Sequence, residues 1–234
     1  MSPNPDSTPF RYTNIFVPRG YLLIPALLVF ALVSSQTGFS HHLRYVLPAF
    51  PFVFIWMGSL WAWAEGIPWR RSMILTLLVS AIGCSLWVFP HSHAYFNALV
   101  GGPRGGHNHL VDSNIEWGQD ILLLADWVEQ HPDRPLDGVS YSLDWLIDRE
   151  VLGLPPEQPP NGYAGDRIDA EVERLFGPQP GRYAIFVMPL RKHWQEIGYF
   201  RPFEPTEVLG QTVYIYEISP GNVRRYWDER RQDL

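Results

Sequence analysis

The sequence predicts an α-helical membrane region of three transmembrane helices followed by a small α/β extramembrane domain. Three observations lead there. The first ninety residues contain three apolar runs of about 20 residues each, close to the length of helix that crosses a hydrocarbon core of about 30 Å. Charge divides the chain at the same place, with five basic and two acidic residues up to Pro90 and 13 basic and 22 acidic beyond it. Past Pro90 the hydrophobic pattern alternates between helical and strand periods, the signature of an α/β domain.

Taken in order, residues 1–19 form a polar arm carrying Arg11 and Arg19. The first run, about 20–39, holds GYLLIPALLVFALVSSQTGF and no charge. The second, about 45–64, holds YVLPAFPFVFIWMGSLWAWA, and the third, about 72–90, SMILTLLVSAIGCSLWVFP. None has a polar face at helical spacing, so each must be buried in protein or in lipid. Three core helices of a soluble protein are the alternative, but the rest of the chain is too small to wrap them. The first run is not read as a signal peptide, because a polar stretch precedes it and no small-residue cleavage pattern follows. Trp56, Trp61, Trp63, Trp69 and Trp87 gather towards segment ends, as interfacial aromatics do. Pro25, Pro48 and Pro51 predict kinks in the first two helices, which membrane helices tolerate. Arg11 and Arg19 in the arm and Arg70 and Arg71 in the second loop outnumber Arg44 in the first loop. The excess of positive charge on the cytoplasmic side then places residues 91–234 outside the cytoplasm.

In the second half, residues 115–131 predict an amphipathic helix with Trp117, Ile121, Leu124 and Val128 on one stripe, ended by Pro132. GVSYS (138–142) reads as a short strand and LDWLIDREVLG (143–153) as a helix closed by Gly153. A Pro-rich loop follows. DRIDAEVERLFG (166–177) reads as a helix with Asp166 as N-cap and Gly177 as its stop. RYAIFVMP is a nearly continuous apolar strand and so central in its sheet. LRKHWQEIG predicts a short helix, QTVYIYEIS a strand, and the charged tail from Asn222 a solvated end. The sum is a three-stranded sheet with helices packed on it.

The acidic second half excludes nucleic acid as a partner, since phosphate backbones select basic surfaces. One cysteine, Cys84, excludes an intrachain disulfide and a cysteine zinc site. GGPRGG lacks the Lys-Ser/Thr of a nucleotide-binding loop and reads as a turn, and no cofactor motif is present. The stretch VDSNIEWGQD (111–120) carries two readings. Ser113 followed by Glu116 fits a capping box, with Asp112 and Glu116 at the positive end of a helix dipole. That leaves Gly118, Trp117, Gln119 and Asp120 unexplained, and a polar cluster at the outer membrane surface is the functional reading. Arg44 and Tyr45 at the outer end of the second helix suit a phosphate, or Arg44 snorkels to headgroups. His91 and His93, with His107 and His109, form two H-x-H pairs and are weak candidates for a metal, unsupported by carboxylate or cysteine spacing.

HHLRYVLPAFPFVFI and HAYFNALVGGPRGGHNHLVDSNIEWGQD, with the terminal RPFEP and GQTVYIY, resemble the C-terminal part of bacterial membrane glycosyltransferases of the family 39 type. These are related to protein mannosyltransferases and lipid A aminoarabinose transferases. The resemblance implies a GT-C type transferase in the bacterial cytoplasmic membrane, multi-pass, which takes a sugar from a polyprenyl-phosphate carrier to an acceptor outside. It implies the lipid bilayer and a polyprenyl-phosphate sugar as partners. Full-length members keep their catalytic carboxylate in the first external loop, whereas here SSQTGFSHHLR has no Asp or Glu. The expectation is a C-terminal portion or truncated relative that needs a catalytic partner chain, with no catalytic residue of its own. Arg44 and Tyr45 then become carrier-phosphate contacts, and Asp112, Asn114, Glu116 and Asp120 motif residues that bind substrate. The alternative is a non-enzymatic membrane-anchored module whose α/β domain binds a partner protein.

Overall fold

The computed structural model describes residues 19–35, 43–110, 112–142, 148–155, 158–192 and 196–234. The N-terminal arm lies outside these except for its last residue. The chain divides into two compact units, one running to Ile82 and the other from Gly83 to Leu234.

In the first unit, α1 spans Arg19–Ser35 with Pro25 inside it. A 3-10 segment, Leu43–Ala49, leads into α2, Phe50–Trp63. α1 packs against both. Pro51 falls in the first turn of α2, where its missing N–H has no helical partner to lose, so it starts the helix rather than kinking it. Gly66, at φ 75°, turns the chain out of α2. Pro68 then opens α3, Pro68–Val88, whose last residues belong to the second unit. Across the loop that joins the two helices, the Arg70 guanidinium of α3 stacks 4.0 Å from the ring centroid of Trp63 in α2.

Two helical stretches, Arg44–Trp63 and Pro68–Val88, are long and apolar enough to cross a membrane. Each buries only 6% of its apolar window inside the protein, which is not the state of a soluble core helix. Phe54, Ile55, Leu77, Val79 and Ile82 are all exposed. Where the sequence predicts three spans, the described residues hold these two and the shorter α1; residues 36–39 of the expected first span lie outside them.

The second unit is built on a mixed sheet of four strands in the order β1-β2-β4-β3. β1 (Gly138–Ser140) runs parallel to β2 (Gly181–Phe186). β4 (Val213–Ile218) runs antiparallel to β2 and to β3 (Glu207–Leu209). The sequence pattern finds β1, β2 and β4 and misses β3, a three-residue edge strand that Gly210 joins to β4 at φ 58°. β2 is central, as its apolar run predicts, but stops at Phe186. Val187–Lys192 turns into a short helix, α7.

Strand alternation sends Tyr183, Ile185, Tyr214, Tyr216 and Ile218 to one face, where they meet Ile115, Leu190 and Phe200. Ala184, Phe186, Val213 and Ile215 go to the other and meet Val139, Ile121, Leu124 and Trp127. The last three are the buried stripe of α5, Ile121–Gln130. This helix begins six residues later than predicted, so Ser113 and Glu116 do not head it, and Trp117 lies outside its stripe and is exposed.

Other boundaries move for local reasons. Before α5 lies a short helix, α4, Gly102–Gly106. Asp169, not Asp166, caps α6 (Ala170–Leu175), because its extended backbone lets the carboxylate accept from the Glu171 and Val172 amides at 3.0 Å. Of the helix predicted over 143–153, residues 143–147 lie outside the described set and the rest form turns. The tail is not a solvated end. Ser219 and Asn222 cap each other at the start of α8, Pro220–Gln232, whose Trp227 is buried where any side chain at Gly177 would collide with its ring.

Candidate functional site

The stretch IEWGQD enters the α/β unit between α4 and α5. Ile115 is buried in the core, and Gly118 takes φ 74°, the left-handed backbone that glycine adopts without strain. Gln119 braces the turn from within. Its Nε2 donates to the Ile115 carbonyl at 2.8 Å, and its Oε1 accepts from the Trp117 amide at 2.7 Å. These contacts explain Gly118 and Gln119, which a helix cap does not.

Glu116 and Asp120 each reach across the fold. Glu116, 1% exposed, accepts a close hydrogen bond from the Ser142 hydroxyl at the exit of β1. Its other oxygen accepts from the Met188 amide at 3.1 Å, just beyond β2. Burial pushes its pKa up to about 7, helped by the Asp120 charge and opposed by the two hydrogen bonds. Asp120 Oδ2 accepts from the Gln211 amide at 2.9 Å, the Thr212 amide at 3.1 Å and the Thr212 hydroxyl at 2.8 Å. Its Oδ1 faces His91 Nδ1 at 3.5 Å. A side chain on Gly210 would collide with this carboxylate, so the hairpin turn is glycine both for its backbone and for the approach of Asp120.

Since β1 and β2 are parallel, their carboxyl ends open on the same edge, the usual place for a ligand in such sheets. A cleft of about 210 Å³ lies there, lined by Ser140, Ser142, Gln158, Asn161, Met188 and Glu196 among others. Hydroxyls and side-chain amides dominate, donors and acceptors suited to a polyhydroxylated ligand. Glu116 stands behind Ser142 and Met188 and accepts the hydrogen bond of the hydroxyl that lines the cleft. Sequence reading missed these lining residues. The signal for them is weak: polar side chains following a strand that pairs in parallel, and the pairing is invisible in sequence.

The remaining candidates scatter. Arg44 and Tyr45 belong to the first unit; Arg44 is exposed, its guanidinium carbon 5.3 Å from the Tyr45 ring centroid. The Asp112 side chain lies outside the described residues, and Asn114 is half-buried in the 3-10 turn Asp112–Asn114. His91 turns to Asp120. His107 meets the Tyr214 hydroxyl at 3.3 Å, and burial, with Arg191 nearby, pushes its pKa down to about 4. His93 and His109 are exposed. Among the described residues no three His, Cys, Asp or Glu side chains group so as to hold a metal ion. Comparison with protein-family models, with characterised proteins and with solved structures gives no match.

Proposed function

We propose that this chain is the C-terminal portion, or a truncated relative, of a membrane glycosyltransferase that uses a polyprenyl-phosphate sugar. In this reading α1 joins Arg44–Trp63 and α3 as a third span of the bacterial cytoplasmic membrane, with the α/β unit outside. The observation that carries it is a pairing: apolar helices that keep their side chains exposed, followed by an α/β unit with a hydroxyl- and amide-lined cleft. The motifs R-Y-x-L-P and D-S-N-x-E-W-G-Q-D add the resemblance. Arg44 and Tyr45 hold the carrier phosphate, and a catalytic partner chain supplies the acid or base absent from SSQTGFSHHLR.

The test is native mass spectrometry of the full chain released from membranes with a polyprenyl-phosphate sugar added. Retention that falls about tenfold in Arg44→Ala supports the reading, the loss of roughly one charge-assisted contact. Equal retention in wild type and variant removes it.

One observation favours a second reading, a non-enzymatic membrane-anchored module that binds a partner protein. Glu116, Gln119 and Asp120 form hydrogen bonds within the fold itself. Under this reading a stable protein complex persists while transferase activity of that complex is unchanged by Arg44→Ala.

A further inference from the structure

The second unit is acidic as a whole, yet the segment that leaves α3 is not. Residues 83–111 contain no Asp or Glu, one arginine, Arg104, and four histidines. The same segment exposes large apolar side chains: Trp87 by 70%, Phe89 by 73% and Leu99 by 96%. A leucine left almost wholly exposed, in the same segment as an exposed Trp and Phe, fits an interaction surface.

One of the three, Trp87, also lines a cavity. Trp87, Val88, Gly101, Pro103, Arg104 and Gln211 line a space of about 330 Å³. The Trp87 ring lies over Gly102, where an added Cβ would stand 3.6 Å from it, so the end of α3 is packed on α4. The 3-10 turn Ala98–Val100, which presents Leu99, packs on α4 as well. Arg104 is exposed at the rim, and Gln211 Oε1 is buried with no hydrogen-bond partner.

We propose that this face of the α/β unit rests on the bilayer and that the cavity takes the phosphate headgroup of an anionic glycerophospholipid. Phe89, Leu99 and Trp87 enter the headgroup–acyl boundary, the depth that amphipathic aromatics prefer. Arg104 meets the phosphate, and a headgroup hydroxyl donates to Gln211 Oε1. The occupant is a lipid because the patch starts at Trp87, in the last turn of a helix long enough to cross the membrane. The absence of acidic residues also fits a negatively charged surface, which would repel the rest of the unit. The inference rests on the spanning of α3 proposed above.

Its test uses the full chain in phosphatidylglycerol and phosphatidylcholine vesicles, with Cys84→Ser and a single spin label at Leu99→Cys or, as a water control, Asp228→Cys. The label at position 99 is expected to collide more with oxygen than with a water-soluble nickel chelate, and the label at 228 the reverse. Phosphatidylglycerol retained after gentle extraction is expected to fall about fivefold in Arg104→Ala, the weight of one arginine at a membrane surface. A label at 99 as nickel-accessible as that at 228 overturns the proposal, and one shielded from both reagents makes the occupant a protein and overturns it too. Unchanged retention in Arg104→Ala, or displacement of phosphatidylglycerol by an isoprenoid monophosphate, overturns the headgroup assignment. If alkaline carbonate strips the chain from vesicles, the spanning of α3 has failed instead, and the two failures are told apart.

Discussion

Replacing Glu116 by Gln isolates a buried charge. Gln keeps both hydrogen bonds, since its oxygen accepts from the Met188 amide while its amide donates to the Ser142 hydroxyl oxygen. What it removes is the ionisation. A carboxyl held at about 7 in the fold and 4.5 in the unfolded chain favours the protonated folded state, so folding weakens as pH rises from 4.5 to 7 and is constant above. The full difference is about 3 kcal/mol, an upper figure for a buried carboxylate that can relax. His107 works in the opposite sense. Its folded pKa of about 4 lies below 6.5, so stability is complete above 6.5 and lost as pH falls towards 4. Between 4.5 and 6.5 the two slopes oppose, and the wild-type curve alone reports neither. The difference between Glu116→Gln and wild type reports Glu116. It should be near zero at pH 4.5 and grow in favour of the variant to about 3 kcal/mol at pH 8, a melting shift of roughly 6–12 °C. Thermal unfolding of the full chain in detergent, followed by tryptophan fluorescence, measures it. A variant less stable than wild type at pH 8, or a pH-independent difference, would refute the burial argument.

Further outcomes follow from the same contacts. His107→Gln should flatten the acid side of the melting curve between pH 6.5 and 4, by about 1 kcal/mol once the half-exposed ring is discounted for solvent screening. Asp120→Ala leaves the Gln211 and Thr212 donors without their acceptor and should cost about 3 kcal/mol, read in the same melt. Gly210→Ala meets both a left-handed backbone and the Asp120 carboxylate, so it should destabilise by roughly 2 kcal/mol or more, and less in an Asp120→Ala background. Trp227→Ala should cost about 3–5 kcal/mol, whereas deleting a true solvated tail would cost nothing measurable.

Much of the fold was legible because local pattern decides it. Long runs without charge announce Arg44–Trp63 and Pro68–Val88, and continuous apolar stretches announce β2 and β4. Boundaries were less legible. The start of α5 lies at 121 rather than 115 because the glycine at 118 takes a left-handed turn instead of helix. β3 escaped because three half-buried residues carry no period of their own.

The sequence by itself determined that the chain has an apolar helical part and an acidic α/β part, and that VDSNIEWGQD carries an unusual density of polar groups. Only the tertiary structure decided what those groups do. The hydrogen-bond donors to Glu116 stand 26 and 72 residues away, and those to Asp120 Oδ2 91 and 92. A local pattern records propensity and amphipathic period; it does not record which distant donors a buried carboxylate will meet. That depends on the parallel pairing of β1 with β2 and on the turn at Gly210, and both exist only once the sheet has closed.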